Sequence, residues 1–197
     1  MRSSNLALGV LGVSAVTMLA GSAQAASLVG DLIQRVGFAQ SSGGISSNDF
    51  AIVQDPGVEF IDTFPIVGPL DRFDVGPDYI RMDSLTNWFS PWFDNGNPPS
   101  YYEFRDLDFS GPPGTVIGGV LVEWSSNIQL SEGAPLGYAP FGAQNVTWNA
   151  DTVRIQIGPY LFPEGAWVHI TLLTVPAPAG GAMAVAAGLV VARRRRR

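Results

Sequence analysis

The chain has no cysteine and no lysine, and His169 is its single histidine. The missing cysteines exclude disulfides, so any folded part must be held together by its core. One imidazole without a thiolate cannot build a zinc site. Nucleophilic catalysis is left with little: no Cys or Lys nucleophile exists, and a serine triad would have to use His169. No Gly-x-Ser-x-Gly turn is present to expose a serine. Positive charge is scarce over most of the chain. Between residues 26 and 175 only Arg35, Arg72, Arg81, Arg105 and Arg154 oppose all 17 acids, a formal charge of −12. Such a body repels nucleic acid and anionic membrane surfaces.

The two ends differ from this middle. Arg2 opens the chain, Leu6 to Ala20 form a short apolar region, and Ala23-Gln24-Ala25 is a small-x-small cleavage site. This is the layout of a secretory signal peptide over residues 1–25, and the mature chain is expected to begin at Ala26. Export through the Sec machinery and cutting by signal peptidase follow. At the other end stand Val175-Pro176-Ala177-Pro178, Gly180-Gly181, an uncharged Ala/Gly/Val/Leu run from Ala182 to Ala192, and Arg193, Arg194, Arg195, Arg196 and Arg197. The prolines stop a helix from running in from upstream. The run is shorter than the roughly 20 residues a full transmembrane helix needs, so it is a weak anchor. The arginines hold it at the cytoplasmic headgroups.

Proline motif, apolar run and arginine cluster, in that order, resemble the PEP-CTERM sorting signal of bacterial surface proteins. The likeness covers residues 175–197, with Ala177 where the family usually has Glu. It implies transient membrane anchoring and cleavage by an exosortase-type transpeptidase, followed by release to the cell surface or extracellular matrix. A GlyGly-type tail read by rhomboid proteases is the alternative that Gly180-Gly181 would mark.

Residues 26–174 read as one domain. Its 150 or so residues, rich in Val, Ile, Leu, Phe and Trp, suffice for a core. Short runs of β-branched and aromatic residues alternate with Gly, Pro, Asp and Asn. Strands are predicted at 50–54, 58–62, 70–75, 79–83, 101–107, 116–124, 145–148, 152–157 and 167–175. Leu28 to Phe38 reads as a short helix or an opening strand, and Gln40 to Asn48 as a Ser/Gly-rich loop. Val146 and Trp148, a turn at 149–151, then Val153, Ile155 and Ile157 read as a hairpin. The pattern predicts an all-β, antiparallel β-sandwich of jelly-roll or immunoglobulin-like type. Phe104 to Asp108, Ile117 to Val120, Ser126 to Ile128 and the 146–157 hairpin resemble a recurring body of PEP-CTERM proteins, which implies such a sandwich without an assigned activity.

Chemistry is sparse. His169 is expected on the wet face of the last strand. No cofactor is expected. Calcium, which needs only oxygen ligands, stays open at Asp94-Asn95-Gly96-Asn97 and Asp106-Leu107-Asp108, though neither completes an EF-hand loop. Asn145-Val146-Thr147 matches a glycosylation sequon. The aromatics Trp88, Phe89, Trp92, Phe93, Tyr101 and Tyr102 surround a Pro/Gly/Asn-rich stretch. Trp88, Trp92 and Tyr102 are candidate ligand-stacking residues, against the alternative that Trp88, Phe89 and Trp92 plug the end of the sandwich. The leading expectation is a non-enzymatic surface or matrix protein with a structural or adhesive role within extracellular polysaccharide. A carbohydrate-binding module and a carboxylate-only hydrolase are the alternatives.

Overall fold

The computed structural model describes residues 26–64, 68–90, 97–112, 114–131 and 134–176. The segment expected to be a signal peptide (1–25), the expected sorting segment beyond Pro176, and Trp92 therefore lie outside the described residues. In chain order the strands are β1 (Leu32–Ala39), β2 (Gly44–Ile52), β3 (Phe60–Phe64), β4 (Gly68–Val75), β5 (Tyr79–Ser84), β6 (Trp88–Phe89), β7 (Tyr101–Arg105), β8 (Thr115–Trp124), β9 (Gln129–Leu130), β10 (Val146–Trp148), β11 (Val153–Gln156), β12 (Tyr160–Phe162) and β13 (Trp167–Pro176). One 3₁₀ turn, Ala143–Asn145, leads into β10. Among the described residues there is no α-helix, and none long and apolar enough to cross a membrane.

All pairings are antiparallel. A first sheet has the order β10-β11-β7-β1-β2, a second β3-β4-β5-β13-β8, and a small third sheet β6-β12-β9. Period-two patterning decides which face is buried. In β13, Val168, Ile170 and Leu172 are buried while His169 and Thr171 are not. In β5, Ile80, Met82 and Ser84 point inward. The inward rows of both large sheets join one apolar core: Ile33, Phe104, Val153 and Ile155 from the first, Phe73, Val75, Ile80, Met82, Val168 and Ile170 from the second. Aromatic rings lock the layers together. Phe73 of β4 meets Tyr102 and Phe104 of β7 at 4.8 and 5.4 Å, edge to face. Each such ring, fully buried, stabilises the fold by about 1.5–3 kcal/mol relative to exposure.

Eight of the nine strands predicted from residue 50 onward are present within a few residues of their expected limits, and the one expected at 50–54 is the end of β2, which begins at Gly44. Of the segment Leu28 to Phe38, the part from Leu32 is a strand, with Ile33 and Arg35 facing inward two residues apart. The expected loop at 40–48 is corrected. Only its first part turns, with Gly43 at φ +64°, and Gly44–Asn48 belongs to β2. The Ser/Asn-rich stretch holds as an edge strand because β1 supplies its ladder, from Leu32↔Ile52 to Ala39↔Gly44. Polar side chains cost little on such an edge. The three short strands of the small sheet have no counterpart among the expected ones.

Candidate functional site

The polar residues that the fold brings together in its interior lie between the two large sheets. Asp71 is on the inward row of β4 with Phe73 and Val75, and it is 0 % exposed. Its ladder neighbours are Asp62 on β3 and Ser84 on β5. From the opposite sheet, Tyr102 of β7 points at the same place. Its hydroxyl oxygen lies 2.6 Å from Asp62 Oδ2 and 3.0 Å from Asp71 Oδ2. Trp88 Nε1 donates to Asp71 Oδ1 at 2.9 Å. Arg35 of β1, its side chain 2 % exposed, completes the group. It donates from Nη2 to Asp49 Oδ2 at 2.5 Å, and Nη1 stands 3.4 Å from Asp62 Oδ1. The guanidinium also sits 5.2–5.7 Å from the ring centres of Phe60, Phe73 and Tyr102. Those π faces lower the cost of a charge for which little water is available.

Burial dominates the electrostatics here. It pushes the Asp71 carboxyl up to about 8, against hydrogen bonds from Tyr102 and Trp88 that favour the charged form; nearby Asp62 raises it further and Arg35 lowers it. The Tyr102 phenol is driven well above its usual range by burial, then by the charges of Asp71 and Asp62.

The candidate stacking residues Trp88 and Tyr102 thus converge, but inward. Tyr102 is 4 % exposed and presents no ring face to solvent. Trp88 stacks on Phe162 at 4.8 Å and 13°. Trp88 is partly buried and packs against the core. Arg35, Asp62 and Asp71 carry no sequence motif; the one available signal is a charged residue inside a run of alternating apolar ones, as in Leu70-Asp71-Arg72-Phe73.

The outer faces use the remaining arginines. On the first sheet Glu103 lies between Arg105 and Arg154: Arg105 Nε donates to Oε1 at 2.5 Å and Arg154 Nε to Oε2 at 2.6 Å. Arg154 covers the ring of Tyr101 at 4.1 Å, and Tyr101 stacks on Phe38 at 5.0 Å. A shallow depression of about 130 Å³ beside them is lined by Glu103, Arg154, Trp148 and residues of the β10–β11 turn. On the second sheet Asp83 accepts from Arg81 Nη2 at 2.8 Å and Arg72 Nε at 3.2 Å. Burial pushes both carboxyls up, but their arginines outweigh it and hold Glu103 and Asp83 below their ordinary values. All five arginines between residues 26 and 176 are therefore in ion pairs.

The other expected positions are quickly placed. Asp106, at φ +58°, and Asp108 end β7, and the Asp108 N–H donates to Asp31 Oδ2 at 2.8 Å. An open depression of about 310 Å³ adjoins Asp31 and Asp108. Among the described residues no group of three or more His, Asp or Glu is placed to hold a metal. Asp94, Asn95 and Gly96 lie outside them; Asn97 Nδ2 donates to the Gln40 carbonyl at 3.1 Å. His169 is half-buried beside the Tyr79 ring, and its Nδ1 has no hydrogen-bond partner, so no carboxylate orients it as a base. Asn145 of the sequon is buried and donates to the Tyr160 hydroxyl at 2.9 Å. Val175 and Pro176, where the expected sorting motif begins, pair in β13 with Val116 and Thr115.

Compared with known families, characterised proteins and solved structures, the chain matches none.

Proposed function

We propose that this is an exported bacterial surface or matrix protein. Its β-sandwich body serves a structural or adhesive role, and its tail is a sorting signal of the PEP-CTERM kind. Signal peptidase removes residues 1–25 after Sec export. Residues 179–197 then hold the chain in the inner membrane until an exosortase-type transpeptidase cuts near Pro176 to Gly181. The observation that carries this reading is the order of features along the sequence: the proline motif, the uncharged run and the arginine cluster come directly after the last strand of the body. The structural role is favoured over a glycan-binding one by the inward commitment of Trp88 and Tyr102. The paired arginines leave the body no unpaired cation with which to grip an anionic partner.

Intact mass of the protein from the native host's envelope and medium tests the proposal. A species running from Ala26 to an end between Val175 and Gly181, with or without an added lipid or glycan, supports it. A membrane-bound species running through Arg197 overturns it and leaves a permanently tethered domain.

A further inference from the structure

We infer that Asp71 is held as the neutral acid, and that its proton is the link joining the two sheets through Tyr102 and Asp62 to Arg35. The argument is a count of protons. The Tyr102 hydroxyl has one hydrogen and two carboxylate oxygens within hydrogen-bond reach, at 2.6 and 3.0 Å. One phenol proton serves one of them. The shorter contact, to Asp62, takes it. The remaining contact, Tyr102 Oη to Asp71 Oδ2, then needs a hydrogen from the Asp71 side, and a carboxylic acid supplies it. Asp71 Oδ1 stays an acceptor for Trp88 Nε1. Each polar atom in the chain Trp88–Asp71–Tyr102–Asp62 then has a role that its chemistry allows.

Charge agrees with the count. The charged and titratable groups facing Asp71 are Arg35 from β1 with Asp49 of β2 behind it, Asp62 from β3 and Tyr102 from β7. Strands β5 and β6 present Ser84 and Trp88, which do not titrate. Arg35 already faces two carboxylates. A third negative charge, at 0 % exposure, has no counter-ion of its own, whereas the neutral acid needs none. The raised Asp71 value has the same origin.

The consequence is a body that tightens on acidification. In the unfolded chain Asp71 ionises near its ordinary 3.8; in the folded chain it does so near 8. The folded state therefore binds the extra proton between those values. Its contribution is complete below about pH 4, and is lost as pH rises to about 8, at about tenfold in the folding constant per pH unit. This device is independent of how the chain is exported or cut.

The test uses the full-length chain in detergent and two variants. Infrared spectra of the wild type at neutral pH should show the carbonyl band of a protonated carboxyl. That band should vanish on going well above pH 8 or so, and be missing from Asp71→Asn. Asparagine copies the neutral acid, accepting from Trp88 and donating to Tyr102. In denaturant titrations it should match the wild type within about twofold near pH 4 and exceed it by at least tenfold near pH 9. Asp62→Asn should lose stability throughout and keep the wild-type pH slope. A wild type lacking the band, an Asp71→Asn chain that fails to fold or is no more stable near pH 9, or a slope abolished by Asp62→Asn instead, would each overturn the assignment.

Discussion

Tyr102 and Trp88 reach Asp71 from 31 and 17 residues away, and each tests a different part of the buried network. Tyr102→Phe keeps the ring against Phe73 but leaves Asp71 and Asp62 without their shared hydroxyl. It should cost about 1–3 kcal/mol, the penalty of stranding buried polar groups, read as a shift in the urea midpoint. Trp88→Phe keeps the stack on Phe162 and removes one N–H donor; about 1 kcal/mol is expected. Glu103→Gln should lose about 1 kcal/mol as well, because Arg105 and Arg154 are nearly half exposed and can turn to water. At this scale the aromatic pair is visible in the sequence as two prominent residues. Its direction is not, since whether Trp88 faces a ligand or a carboxylate depends on β4, which packs beside it only after folding.

At the scale of the element, β13 carries the second sheet. It lies between β5 and β8, so it is hydrogen-bonded on both sides. Ile170→Ala should cost about 2–5 kcal/mol, since the side chain is 0 % exposed and leaves a cavity. Leu173→Ala, at 44 % exposure, should cost less than about 1 kcal/mol. Denaturant midpoints of the two variants check the contrast. A chain ending at Leu172 loses the pairs to Gly119, Ile117, Val116 and Thr115 and should melt earlier than one ending at Pro176. Thermal melts of the two truncations decide it. The strong alternation of Val168, Ile170 and Leu172 makes β13 legible in the sequence alone. The Gly44–Asn48 part of β2 is not legible there, because an edge strand needs only one ladder and tolerates Ser and Asn; its strand character comes from β1. The two- and three-residue strands β6, β9 and β12 are too short for any period to show.

For the whole molecule, charge is arranged so that scarcity decides its use. Five arginines are all committed to holding carboxylates, one pair on each outer face and Arg35 inside. Asp71, buried at 0 % exposure, is in none of these ion pairs. Two opposite pH effects follow. Asp83 and Glu103 are held low by their arginines, so their stabilisation is present above the ordinary carboxylate range and lost as pH falls through their lowered values. Asp71 acts in the other direction, losing its contribution from about pH 4 to about 8. The melting temperature of the wild type should therefore peak at about pH 4–5, lower than the usual neutral optimum, and a pH series of melts checks it. The all-β, antiparallel, acidic character of the body and its lack of disulfides are legible from the residues alone. These are properties of local pattern and inventory: period-two alternation, turn residues and counts survive without long-range information. That Arg35, Asp62, Asp71, Trp88 and Tyr102 share one site emerges only in the folded chain. They come from five strands, and a buried charge is tolerated only where partners from all of them arrive together.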